Sequence, residues 1–124
     1  MKFMLMIWSN PENWDALPPE QQNALAQASA AEHRAIDADL LASGELVVSA
    51  ALADPVTTRT VRVRGDVVAS TDGPYAEAKE FVAGYYLVDC DDLERATEIA
   101  ARIPDATWDR VEIRPAMDLA GLEM

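Results

Sequence analysis

The chain has 124 residues, enough for one domain with a modest core, and half of them are hydrophobic. Ten Lys and Arg stand against 22 Asp and Glu, a formal charge of −12, which repels phosphate backbones and anionic bilayers and speaks against nucleic acid or membrane as a partner. The one cysteine, Cys90, rules out an intramolecular disulfide and suits a reducing compartment, and the apolar run after Lys2 is too short for a signal-peptide core or a membrane span, so a cytoplasmic location is expected.

Residues 3–8 are apolar throughout and read as the first strand, with Phe3, Leu5 and Ile7 on one face and Met4, Met6 and Trp8 on the other. Residues 9–17 read as a loop with Trp14 packed under it. Pro18 and Pro19 open a helix whose positive end suits Glu20 and which closes near Ser43, with Gly44 past its end. Leu25, Ser29, Ile36 and Leu40 make its buried stripe, and His33 lies at the edge of that stripe, bordering the sheet. Residues 45–52 read as a second strand, broken by Asp54-Pro55. Over 57–64, Val61 and Val63 alternate with Thr60, Arg62 and Arg64, and Gly65-Asp66 turns the chain back as a hairpin through 67–70. Residues 81–88 form a central strand, again apolar on both faces. Asp91 and Glu94 have capping-box spacing for a helix striped by Leu93, Ala96, Ile99 and Ile103 and stopped by Pro104. Val111 and Ile113 alternate with Arg110, Glu112 and Arg114 in the last strand, Trp108 pads the return, and residues from 116 on read as a tail gripping a partner subunit.

The order is βαβ, hairpin, β, α, β. It describes one α+β domain over 1–124 with a ferredoxin-like layout, an antiparallel sheet covered by two helices on one face. Strands apolar on both sides need cover on both, and two helices cover only one. The second face is therefore expected to be buried against another copy, as a homodimer.

The densest run of polar and titratable residues is 71–80. Asp72-Gly73-Pro74 is a turn with a mechanism, and Pro74 can start a short helix that puts Tyr75 and Lys79 on one face. Tyr75 can pack or donate a hydrogen bond to a substrate oxygen, Lys79 and Arg62 can hold a carboxylate or phenolate, and Glu77 reads as a surface charge. His33 is the only histidine and the best general acid/base in the chain. Cys90 lies between Asp89 and Asp91, whose charges raise a thiol pKa, and reads as structural. One His and one Cys cannot build a typical zinc site. There is no Gly-rich phosphate loop, no Cys-x-x-Cys, no Gly-x-Ser-x-Gly and no calcium-site spacing, so no metal and no cofactor are implied.

The stretch Asp72-Gly73-Pro74-Tyr75-Ala76-Glu77-Ala78-Lys79-Glu80 resembles the signature of the DGPF proteins, a branch of the YCII-related family, with Tyr75 where Phe is usual. The opening Lys2-Phe3-Met4-Leu5-Met6-Ile7, the run Thr60-Val61-Arg62-Val63-Arg64, Gly84-Tyr85-Tyr86-Leu87-Val88 and the closing Val111-Glu112-Ile113-Arg114-Pro115 fit as well. The resemblance implies a dimeric α+β barrel and little chemistry. One similar branch is linked to dehydrochlorination of a chlorinated hydroxyquinol, and others accompany extracytoplasmic-function sigma factors. In the smaller YCII proteins a His lies eleven residues before a helix-ending Gly, as His33 does before Gly44. The Asp that pairs with it there is replaced here by Ala42 and Ser43, which leaves Asp37 or Asp72 to orient the ring.

Two expectations result. One is a cofactor-independent enzyme of lyase, isomerase or hydrolase type, acting on a small oxygenated or aromatic compound. In it His33 moves a proton, Asp72 orients the ring or the loop, and Tyr75, Lys79 and Arg62 hold the substrate. The other is a non-catalytic ligand-binding or regulatory dimer. An enzyme needs His33 in reach of a carboxylate, at an open cavity shared with the Asp72 loop.

Overall fold

The computed structural model describes residues 1–73 and 79–118. Strand β1 (Lys2–Ser9) pairs antiparallel with both β5 (Phe81–Asp89) and β6 (Arg110–Pro115), and β2 (Leu46–Ala51) pairs antiparallel with β5. The sheet order is β2-β5-β1-β6, the ferredoxin-like arrangement expected from the order of elements. Helices α2 (Pro19–Ser43) and α3 (Leu93–Arg102) cover one face. Phe3, Leu5 and Ile7 meet Ile36 and Leu40 of α2 and Ala96, Ile99 and Ile103 around α3 in one buried cluster. Burying each of the larger side chains is worth about 1.5–3 kcal/mol. The alternation read from β1 thus decides which side of the sheet the helices take.

Local chemistry ends the helices where it should. Gly44 adopts φ 80°, and Gly44 N–H and Glu45 N–H donate to the carbonyls of Leu41 and Leu40, so the last turn of α2 is closed by a left-handed residue. Helix α3 is capped by Asp92, one residue later than the Asp91 spacing suggested. The extended backbone at Asp92 lets its carboxylate accept from Arg95 N–H at 2.8 Å. A short helix, α1 (Pro11–Asp15), stands where a loop was expected. Five residues are too few to show a period, but Asn10 caps it by accepting from Glu12 N–H, with Pro11 in the first position. Trp14 and Trp108 pack edge to face, with centroids 5.5 Å apart.

The hairpin of β3 (Arg59–Arg64) and β4 (Val67–Asp72) is a separate two-stranded sheet, turned at Gly65 with φ 59°. Strand β4 runs two residues further than expected, while β3 starts two residues later, because Pro55–Thr57 is taken up in a 3-10 turn capped by Asp54. Val61, Val63, Val67 and Val68 are exposed on it.

Cys90 is buried, and burial, with Glu45 second, pushes its thiol pKa up; the flanking aspartates are not the cause. Glu45 itself receives a two-pronged hydrogen bond from Arg95, at 2.8 and 2.9 Å, which ties the end of α2 to α3. That bond holds the Glu45 carboxyl at about 2 against its ordinary 4.5, with Ser43 also lowering it and burial opposing. The folded-state value lies below the unfolded one. The pair therefore stabilises fully above about pH 4.5, and its contribution drains away as pH falls toward 2. Arg95 is partly exposed, so Glu45→Gln is expected to cost about 1 kcal/mol at pH 7. Thermal unfolding followed at pH 7 and near pH 2 checks this: the gap between the two proteins should close in acid, and a constant gap would contradict it.

Candidate active site

Strand parity turns Gly84, Tyr86 and Val88 of β5 toward the helices. Tyr86 is 3% exposed, and a buried phenol needs a partner. It finds His33 on α2, whose Nδ1 lies 2.5 Å from Tyr86 Oη. The ring planes differ by 12° and the centroids are 5.9 Å apart, so with that short link the rings meet edge to edge. The other ring nitrogen, Nε2, lies 3.2 Å from Asp105 Oδ1, in the 3-10 turn Pro104–Thr107 that follows α3. A carboxylate only accepts, so Nε2 donates to Asp105, and in the neutral ring Nδ1 is then left to accept from the Tyr86 O–H. The three side chains form a line: phenol, imidazole, carboxylate.

They open on a cavity of about 450 Å³ between α2, the Asp105 turn and the β2–β5 edge of the sheet. Ala30, Ala50, Ala51, Ala83 and Gly84 wall it, and their small size is what leaves the space. Gly84 is required there. A Cβ at this position would stand 2.8 Å from the Ala50 carbonyl oxygen, a backbone atom that cannot yield without parting β2 from β5. Asp37, one helical turn after His33, also faces the cavity and accepts from Ser49 Oγ at 2.9 Å.

Burial first, then the negative charges of Asp37, Asp105 and Glu32, push the Tyr86 phenol well above its ordinary 10, with Arg102 partly offsetting them. The phenol keeps its proton in the resting state. His33 has 29% of its side chain exposed, so the line is reachable from the cavity.

His33 is thus in the cavity wall. Asp37 is there too, but bonded to Ser49; the carboxylate on the imidazole is Asp105. Asp72 ends β4 with its side chain 89% exposed, 3.4 Å from Arg59, and does not line the cavity. Arg62 on β3 and Lys79 are exposed and do not line it either. Tyr75 and Glu77 lie outside the described residues. Sequence reasoning missed Tyr86 and Asp105. Tyr86 had a signal, an inward parity shared with Val88 that obliges its hydroxyl to find a polar neighbour on the facing helix. Asp105 had none, because only the fold carries the turn after Pro104 back to α2. Among the described residues, no three His, Cys, Asp or Glu side chains are gathered for a metal ion.

A β2-β5-β1-β6 sheet under two helices, with a side pocket and an inserted hairpin, defines a ferredoxin-like α+β protein with a small-molecule-sized site. The chain belongs to the YCII-related domain family, whose model matches residues 1–120. It is similar to a protein of Rhizobium meliloti (strain 1021), uncharacterized protein R00369, at 30% identity over 98 residues, covering 77% of this chain and 75% of that protein. No described helix is long and apolar enough to cross a membrane.

Proposed function

We propose that this YCII-related protein is a cytoplasmic, homodimeric enzyme that acts on a small molecule without a cofactor, by a lyase, isomerase or hydrolase step. His33 is its general acid/base, working through Tyr86. The observation that carries this reading is the Tyr86–His33–Asp105 line opening on the cavity. As a substrate proton moves to Tyr86 Oη, the phenol's own proton passes to His33 Nδ1, and Asp105 stabilises the imidazolium. Phenolate never stands free, which suits a phenol whose pKa is raised. The later step returns the proton by the same route, as an elimination or isomerisation requires.

The dimer is supported by the sheet face that no described helix covers. Met4, Met6, Trp8, Tyr85 and Leu87 are only half-buried there. Among the described residues, the buried Trp8 Nε1–H has no acceptor, although Arg110 lies over its ring at 5.2 Å.

The second reading is a non-catalytic ligand-binding or regulatory dimer, such as one that partners an extracytoplasmic-function sigma factor. Its support is that both ring nitrogens of His33 are already satisfied. Thermal-shift screening against a library of small neutral, acidic, basic and phenolic compounds separates the two when run on the wild type, His33→Ala and Asp105→Asn. Hits lost in both variants and converted by the wild type support the enzyme. Hits that bind at the cavity but never turn over support the binding module, and hits indifferent to both substitutions remove the site.

A further inference from the structure

We infer that the cavity selects a small amine, carried as its ammonium on an apolar body, and rejects carboxylates. This rests on the reading of the cavity as the ligand site. Its charged walls are Asp37, one turn after His33 on α2, and Asp105 in the 3-10 turn after α3. Asp105 is engaged by His33 Nε2. Asp37 gives one oxygen to Ser49 Oγ, and among the described residues nothing donates to its other oxygen. Arg102, whose charge partly offsets these carboxylates at Tyr86, is already spanned by Asp39 at 2.8 Å and Glu32 at 3.3 Å.

All ten lysines and arginines of the chain lie among the described residues, and none lines the cavity. Residues 74–78 and 119–124 add no cation by composition, only Glu77 and Glu123. A carboxylate entering this space would face two others in a protein of net charge −12, whereas an ammonium would meet the spare oxygen of Asp37. Ile7, Ala30 and Ala83 offer the rest of the ligand an apolar bed, and Tyr86 Oη and the imidazole lie beside it. The expectation that Arg62 and Lys79 hold an anion finds no support in this wall.

The test uses three probes of one shape, benzylamine, benzyl alcohol and benzoate, titrated into the full-length protein near neutral pH by calorimetry and followed through the His33 ring signals in NMR. Benzylamine should bind at least tenfold more tightly than benzyl alcohol, benzoate should be weakest, and Asp37→Asn should remove the amine's advantage while leaving the alcohol unchanged. If benzoate matches or exceeds benzylamine while His33 responds, the charge assignment falls and the ligand site stands. An amine advantage that survives Asp37→Asn also overturns the assignment. If none of the three disturbs His33, the cavity is not a ligand site and both readings fall together.

Discussion

Replacing Tyr86 with phenylalanine should lower turnover of any substrate found for this protein by about 100- to 10,000-fold, the range that a positioned proton-transfer group supplies. The substitution removes one oxygen and keeps the ring that packs in the core with Leu5, Ile36 and Val88. Its structural cost is one hydrogen bond to His33 Nδ1, about 1 kcal/mol, so the protein should fold and melt within several degrees of the wild type. A fall in kcat with a preserved circular dichroism spectrum and little change in KM would mark Tyr86 as the group that exchanges the proton. Full activity in the variant would mean that the phenol only braces the imidazole.

The second large effect is on assembly. Leu87 lies on the face of the central strand that no described helix covers, opposite Met4 and beside Val48 of β2. It points away from the core shared with α2 and α3, so Leu87→Arg should leave each protomer folded. It would set a charge at the centre of an apolar face, where burial against a second copy leaves that charge unpaired. Analytical ultracentrifugation should find the wild type at twice 13.5 kDa and the variant at 13.5 kDa. A wild-type monomer, or a variant that stays dimeric, would show that this face is not what joins the copies.

The fold was legible where periodicity is long or punctuation is strong. Phe3, Leu5 and Ile7 announced the helix-facing side of β1, Gly44 closed α2, Pro104 stopped α3, and Gly65 turned the hairpin. Elements too short for a period, such as α1, were not legible. The site was legible in part. His33 could be placed against the sheet because helix geometry ties it to Ile36 and Leu40. Its partners come from elements 53 and 72 residues away, and local spacing carries no trace of such contacts. Asp72 drew attention through its loop chemistry, which explains a turn without implying nearness to His33; the fold instead puts it at the end of an exposed hairpin beside Arg59.

The protonation of His33 is the most direct test, and it needs no substrate. Nitrogen-15 NMR of the resting protein should find the ring proton on Nε2 and a bare, hydrogen-bonded Nδ1. Tyr86→Phe should shift the Nδ1 resonance, and Asp105→Asn the Nε2 resonance. A proton on Nδ1, with both resonances unmoved by either substitution, would mean that phenol, imidazole and carboxylate do not act as one line.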